Sequence, residues 1–204
     1  MPVAMRGGKV GLFVHIPKTA GTSIEGILKD WTRVSLLNQS VNQSFKVSPQ
    51  HMLGCEISGL FNHDFFDFIF SVTRHPLDRI KSEYYGHHGN IDDDLSVITK
   101  WWEGSLEKYA ADPSLYDNHF RPQKDFIVDS SEVEVFDSIN IFKLENGLEP
   151  IKKYLAENLH IPYGALKSDR RLNQSSKPKH MNWKGLDNKI IDFYAKDMDY
   201  FNYE

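Results

Sequence analysis

The stretch Gly11-Leu12-Phe13-Val14-His15-Ile16-Pro17-Lys18-Thr19-Ala20-Gly21-Thr22-Ser23 carries the residue types needed to hold a phosphate. Leu12 to Ile16 reads as a short buried strand, which Pro17 stops. Thr19 to Ser23 are small, and Ile24, Ile27 and Leu28 then begin a helical stripe. A strand, a tight small-residue turn and a helix N-terminus gather several backbone N–H groups into an anion cradle. Lys18 adds a mobile positive charge to it. The order of residues differs from the nucleotide-triphosphate loop G-x-x-x-x-G-K-[ST], where Lys follows the last Gly; here Lys18 precedes Gly21. A second segment of this kind is Ser71-Val72-Thr73-Arg74-His75-Pro76 and the helix after it. Arg74 stands at a strand end, and Ser82 lies about two turns into the helix. A guanidinium and a hydroxyl so placed can grip one phosphate from two sides.

The elements that must position these groups are legible in outline. Lys9 to Ile16 is the first strand, apolar on both faces and therefore central, and Met1 to Gly8 before it reads as a flexible leader. The cradle leads into a helix over Thr22 to Trp31. Val34 to Leu37 reads as a strand, Asn38 to Ser44 as a polar loop, and Glu56 to Leu60 as a short helix. Phe65 to Val72 is the second clear strand. The helix after it begins at Pro76, a favoured first helical residue, with Leu77, Ile80 and Tyr84 inward. Asp92 to Asp94 forms an acidic start for the next helix. Val133 to Phe136 and Ile139 to Leu144 read as short strands, and Pro150 to Leu159 as a helix. Gly164 to Asn182 reads as a long polar, basic loop, and Asp187 to Asp199 as the last helix. Recurring strand–loop–helix units predict an α/β fold: a central parallel sheet with helices on both faces, in three α/β/α layers. Ligands of such sheets sit beyond the carboxyl ends of the strands, where Lys18 and Arg74 both fall.

The chain of 204 residues fits one domain, residues 9–204, behind the leader. A formal charge of -4 excludes a generally basic nucleic-acid binder. Cys55 is alone, which points to a reducing, cytoplasmic setting. No run approaches the roughly 18 apolar residues of a membrane span. His87 and His88, between Gly86 and Gly89, read as solvated turn residues. No metal is expected, because the chain has no H-E-x-x-H and no paired Cys.

The form His15-Ile16-Pro17-Lys18-Thr19-Ala20-Gly21-Thr22-Ser23 resembles the 5'-phosphosulfate loop of sulfotransferases that use 3'-phosphoadenosine 5'-phosphosulfate (PAPS). It is closest in kind to the carbohydrate 2-O-, 4-O- and 6-O-sulfotransferase branch. The Arg74 to Ser82 segment resembles the 3'-phosphate motif of the same family. The resemblance implies a P-loop-like fold. It also implies that Lys18, Thr19, Ala20, Gly21, Thr22, Ser23, Arg74 and Ser82 bind PAPS and its product PAP. Gln50-His51-Met52-Leu53 resembles the position of the general base in related enzymes, with Glu56 as its orienting group or an alternative base. Asn118-His119-Phe120-Arg121-Pro122-Gln123 resembles an H-x-x-P-Q segment on the acceptor side, which makes His119 and Arg121 substrate-binding candidates. Leu172-Asn173-Gln174-Ser175-Ser176-Lys177 resembles a loop that closes over the nucleotide, with Lys177 reaching a phosphate.

The function so implied is sulfuryl transfer from PAPS to an acceptor hydroxyl, on a saccharide or another small polyhydroxylated molecule. Displacement is in line, Lys18 and His51 are the catalytic residues, and no metal takes part. A small-molecule kinase with a degenerate phosphate loop, or a nucleotide-binding protein without chemistry, are the alternatives. Membrane anchors and disulfides, typical of the carbohydrate enzymes, have no counterpart here, so their acceptors do not carry over with the fold.

Overall fold

The computed structural model describes residues 1–37, 45–88, 94–166 and 183–204. Its centre is a five-stranded sheet made of β1 (Val3–Arg6), β2 (Lys9–Val14), β3 (Arg33–Ser35), β4 (Phe68–Thr73) and β5 (Asn140–Lys143), in the order β3-β1-β2-β4-β5. β2, β4 and β5 are parallel, with Phe13 opposite Phe70 and Ser71 opposite Ile141. β1 runs antiparallel to both β2 and β3, so the sheet is mixed. The expected parallel sheet holds for β2, β4 and β5 and is corrected at β1.

That strand is formed by the segment expected as a flexible leader. Arg6 pairs with Lys9 across Gly7 and Gly8, whose φ angles are +56° and +81°. Two adjacent residues at positive φ make a tight hairpin whose twist matches the strands it joins, and Gly-Gly takes that geometry without strain. Val3 and Ala4 are buried as a result.

Among the described residues the helices are α1 (Gly21–Trp31), α2 (Gly54–Ser58), α3 (Pro76–His88), α4 (Leu95–Ala111), α5 (Leu115–Asn118), α6 (Glu149–Asn158), α7 (Asp187–Phe193) and α8 (Ala195–Tyr200). Strand alternation divides the core between the two faces of the sheet. Phe13, Phe70 and Val72 pack with Ile24, Ile27 and Leu28 of α1 and Ile151 and Leu155 of α6. Leu12, Val14 and Ile69 pack on the other side with Ile57, Phe126, Phe136 and Phe201. A third cluster, built on Tyr84, Trp102, Phe120, Trp183 and Tyr194, joins α3, α4 and α7. Each fully buried large apolar side chain of this kind contributes about 1.5–3 kcal/mol.

Asp94 caps α4, its carboxylate accepting from Ser96 N and Val97 N at 2.8 and 3.1 Å, as the acidic run foretells. Two expectations are corrected. Val133 to Phe136 forms no strand and contributes an isolated bridge from Glu134 to Val128. The last helix is two, broken at Tyr194, whose φ of −100° and ψ of 25° lie outside the helical range. The polar loop expected at 38–44 and most of the one expected at 164–182 lie outside the described residues.

Candidate functional site

β2 delivers the loop His15–Ala20 at its carboxyl end, and α1 starts at Gly21. Lys18 and Ala20 both take left-handed φ angles, +68° and +70°. Alternation of hand along a short segment turns successive N–H groups toward one side, a backbone nest for an anion. Thr19 is fully buried and spends its hydroxyl inside the loop, on Ile16 O at 2.8 Å. The N–H groups of Ser23 and Ile24 turn back to Ala20 O at 3.0 and 3.3 Å. Those of Gly21 and Thr22, at the start of the helix, have no preceding turn to receive them. Thr22 is exposed and Ser23 buried. Gly21 is required by packing: a Cβ there would stand 1.7 Å from His15 Nε2.

His15 is locked beneath this loop. Its ring stacks on Phe13 at 5.2 Å, and its Nδ1 lies 2.8 Å from Glu25 Oε1 and 2.9 Å from Gln50 Nε2. Burial depresses its pKa from 6.5 to about 3, so the folded chain holds it neutral. The unfolded chain binds a proton there below about pH 6.5 and the folded chain does not, so folding stability falls as pH drops from 6.5 toward 3. Urea unfolding across that range is expected to show the decline, and His15→Gln, which removes the titrating ring, is expected to make it shallower. Coincident slopes for the two proteins would show that His15 makes no such contribution.

Arg74 follows the end of β4, the parallel neighbour of β2. Its Nη1 donates to Lys18 O at 3.3 Å, joining the two phosphate-type segments directly. Gln123 sets its backbone through a pair of bonds: Arg74 N donates to Gln123 Oε1 at 3.0 Å, and Gln123 Nε2 donates to Arg74 O at 2.8 Å. Gln123 is in turn held by Asp197 of α8, which accepts its N–H at 2.8 Å. Ser82 is half-buried on α3, one helical turn before Gly86, on the stripe that Lys18 crosses.

His51 enters from the segment before α2 and is almost wholly buried. Its Nδ1 donates to Asp117 Oδ2 at 2.7 Å, which fixes the tautomer and leaves Nε2 with a lone pair. Burial lowers its pKa to about 4 against the opposing pull of Asp117. Asp117 belongs to α5, where Tyr116, Asp117 and Asn118 have φ angles of +49°, +59° and +64°. Each non-glycine residue in this region costs about 1–3 kcal/mol. The cost is offset by the bonds it permits. Asp117 accepts from Ser48 N and Ser48 Oγ, both at 2.6 Å, and Asn118 Nδ2 donates to His51 O at 2.9 Å. Strain is thus held where a carboxylate is aimed at an imidazole.

The same turn carries His119, whose ring stands edge-on to His51 at 5.2 Å. Its Nδ1 donates to Glu83 Oε2 at 2.7 Å, and His87 Nε2 donates to Glu83 Oε1 at 2.8 Å. Burial alone would raise the Glu83 carboxyl. The bonds from His119 and His87, with Lys18 nearby, outweigh it and hold the group well below the usual carboxylate range. Lys18 Nζ lies 3.9 Å from Glu83 Oε2 and crosses α3 at Gly86, where a Cβ would meet it at 2.6 Å. Gly86→Ala is therefore expected to stabilise the helix by about 0.5–1 kcal/mol while displacing the Lys18 ammonium. Thermal melting checks the gain; an unchanged or lower melting temperature for Gly86→Ala would show that displacing the ammonium costs as much as the helix gains.

Of the residues singled out in the sequence, the structure gathers Lys18 to Ser23, Arg74, His51 and His119 around one region. Arg121 is engaged by neighbours along its own segment: its Nε donates to Asn118 Oδ1 at 3.1 Å and its Nη1 to Asp125 Oδ2 at 3.4 Å. Glu56 does not orient His51. Its carboxylate accepts Leu53 N at 2.6 Å and caps α2, and Asp117 holds the orienting position instead. His87 is corrected from a solvated turn residue to a member of α3 bonded to Glu83. Lys177 lies outside the described residues. Asp117, Glu83 and Gln123 escaped sequence reasoning. No family model, curated protein or solved structure matches the chain.

Proposed function

We propose that the chain is a PAPS-dependent sulfotransferase of P-loop-like fold, moving a sulfuryl group to an acceptor hydroxyl, with a saccharide as the leading acceptor class. The observation that carries this reading is the junction of the Lys18 loop and Arg74 at the carboxyl ends of adjacent parallel strands, with the His51–Asp117 pair in the same region. The donor set suits the ligand. The nest and Lys18 offer N–H groups and a cation to a phosphosulfate, and Arg74 and Ser82 offer a guanidinium and a hydroxyl to a separate 3'-phosphate.

PAPS supplies an activated sulfuryl group on a phosphate leaving group. The chain supplies position and charge. Lys18 and the backbone from Thr19 to Ser23 stabilise negative charge at the 5' end. Arg74 and Ser82 fix the orientation of the nucleotide. His51 takes the acceptor's proton on Nε2 while Asp117 keeps Nδ1 protonated. His119, anchored on Glu83, faces the acceptor side. Among the described residues no helix is long and apolar enough to cross a membrane. With a single cysteine in the chain, we place the reaction in the cytoplasm.

The test is incubation with PAPS and a panel of saccharide and small-molecule alcohols, followed by mass spectrometry. A sulfated product formed with an equal amount of PAP is expected. ATP-dependent phosphorylation of the same panel, or no product from any acceptor, would overturn the reading.

A further inference from the structure

His87 has no part in sulfuryl transfer, yet it completes a cluster of another kind. Glu83, His87 and His119 each offer one ligand atom, and these atoms all lie within 4.8 Å of one another. The helical spacing of Glu83 and His87 puts both on one face of α3, and the strained turn at α5 brings His119 to them from across the chain. Two imidazoles and a carboxylate form the donor set of three-ligand zinc sites, which leave a fourth position open. Nitrogen donors select zinc and its neighbours over magnesium and calcium, which favour oxygen.

Access and charge also fit. The His87 side chain is 56% exposed and Glu83 1%, so an ion arriving from solvent meets His87 first and the buried carboxylate behind it. Glu83 is ionised and presents one oxygen to each ring. Lys18 Nζ, 3.9 Å from Glu83 Oε2, is the resident cation that a metal would face. We propose that Glu83, His87 and His119 form a divalent-cation site of the zinc type, filled in competition with the Lys18 ammonium. The proposal does not depend on sulfuryl transfer.

The experiment titrates the full chain with Zn²⁺ by calorimetry and with Co²⁺ by visible absorption, with Mg²⁺ as the control. One Zn²⁺ per chain is expected, along with an intense visible Co²⁺ band and no Mg²⁺ binding. His87→Ala, at an exposed position, should weaken Zn²⁺ binding about tenfold or more and abolish the Co²⁺ band. Lys18→Met should tighten Zn²⁺ binding by about two- to fivefold, because it removes a like charge. Absent stoichiometric binding, or equal affinity in His87→Ala and the parent, would overturn the site. Unchanged affinity in Lys18→Met would overturn the competition.

Discussion

Lys18→Ala is expected to lower kcat by about 10²–10³-fold, the usual loss when one preorganised donor to a developing charge is removed. The fold should survive. Lys18 is held at a positive φ of +68°, and Ala in the same conformation bears a similar strain, so the substitution isolates the side chain. The ammonium is partly exposed and stands 3.9 Å from the buried Glu83 carboxylate, a long ion pair, so its loss is expected to lower stability only modestly. Glu83 keeps its hydrogen bonds from His87 and His119. Initial rates with saturating PAPS, set beside thermal melts, make the measurement. A near-parental rate with an unchanged melt would remove Lys18 from the chemistry.

His51→Ala is expected to lower kcat by about 10²–10⁴-fold, the range associated with a positioned general base, with the affinity for PAP nearly unchanged. The separation of the two effects follows from geometry. The polar side-chain contact of His51 is to Asp117, and its ring meets His15 and His119 edge-on at 4.7 and 5.2 Å; no bond ties it to Lys18 or Arg74. After the substitution Asp117 still accepts from Ser48 N and Ser48 Oγ, and Asn118 Nδ2 still reaches the backbone carbonyl of position 51, so the strained turn retains three of its supports. Rates and PAP titrations on the same preparation decide the matter. A collapse of PAP affinity alongside the rate would make His51 a support of the loop.

The frame of the site could be read from the sequence because its signals are local. The apolar runs of β2 and β4, Pro76 at the start of α3 and Asp94 at the start of α4 each act within a few residues. β1 was not legible and reads as a flexible leader: its four residues are too few to show a period, and Gly7-Gly8 between Arg6 and Lys9 is its one local signal. The groups that orient the chemistry were not legible. Asp117 reaches His51 from 66 positions away through a left-handed turn, and although Asp and Asn tolerate that conformation, Tyr116 gives no warning of it. Glu83 follows Ser82 on α3 and is fully buried. His87 is its neighbour one turn along the same helix, but its carboxylate becomes intelligible only when Lys18 and His119 arrive from two other parts of the chain. Gln123 lies in a segment whose resemblance implies acceptor contact, yet its amide serves the Arg74 backbone.

The most direct test of the nucleotide assignment is a calorimetric titration of the purified chain with PAP, ADP and ATP. A grip on the 3'-phosphate by Arg74 and Ser82 requires PAP to bind at least about tenfold more tightly than ADP, which lacks that group and with it a charge-assisted contact worth about 1.5–3 kcal/mol. Equal or tighter binding of ADP or ATP, or no binding of any of the three, would contradict the assignment of the Lys18 loop and Arg74 to PAPS.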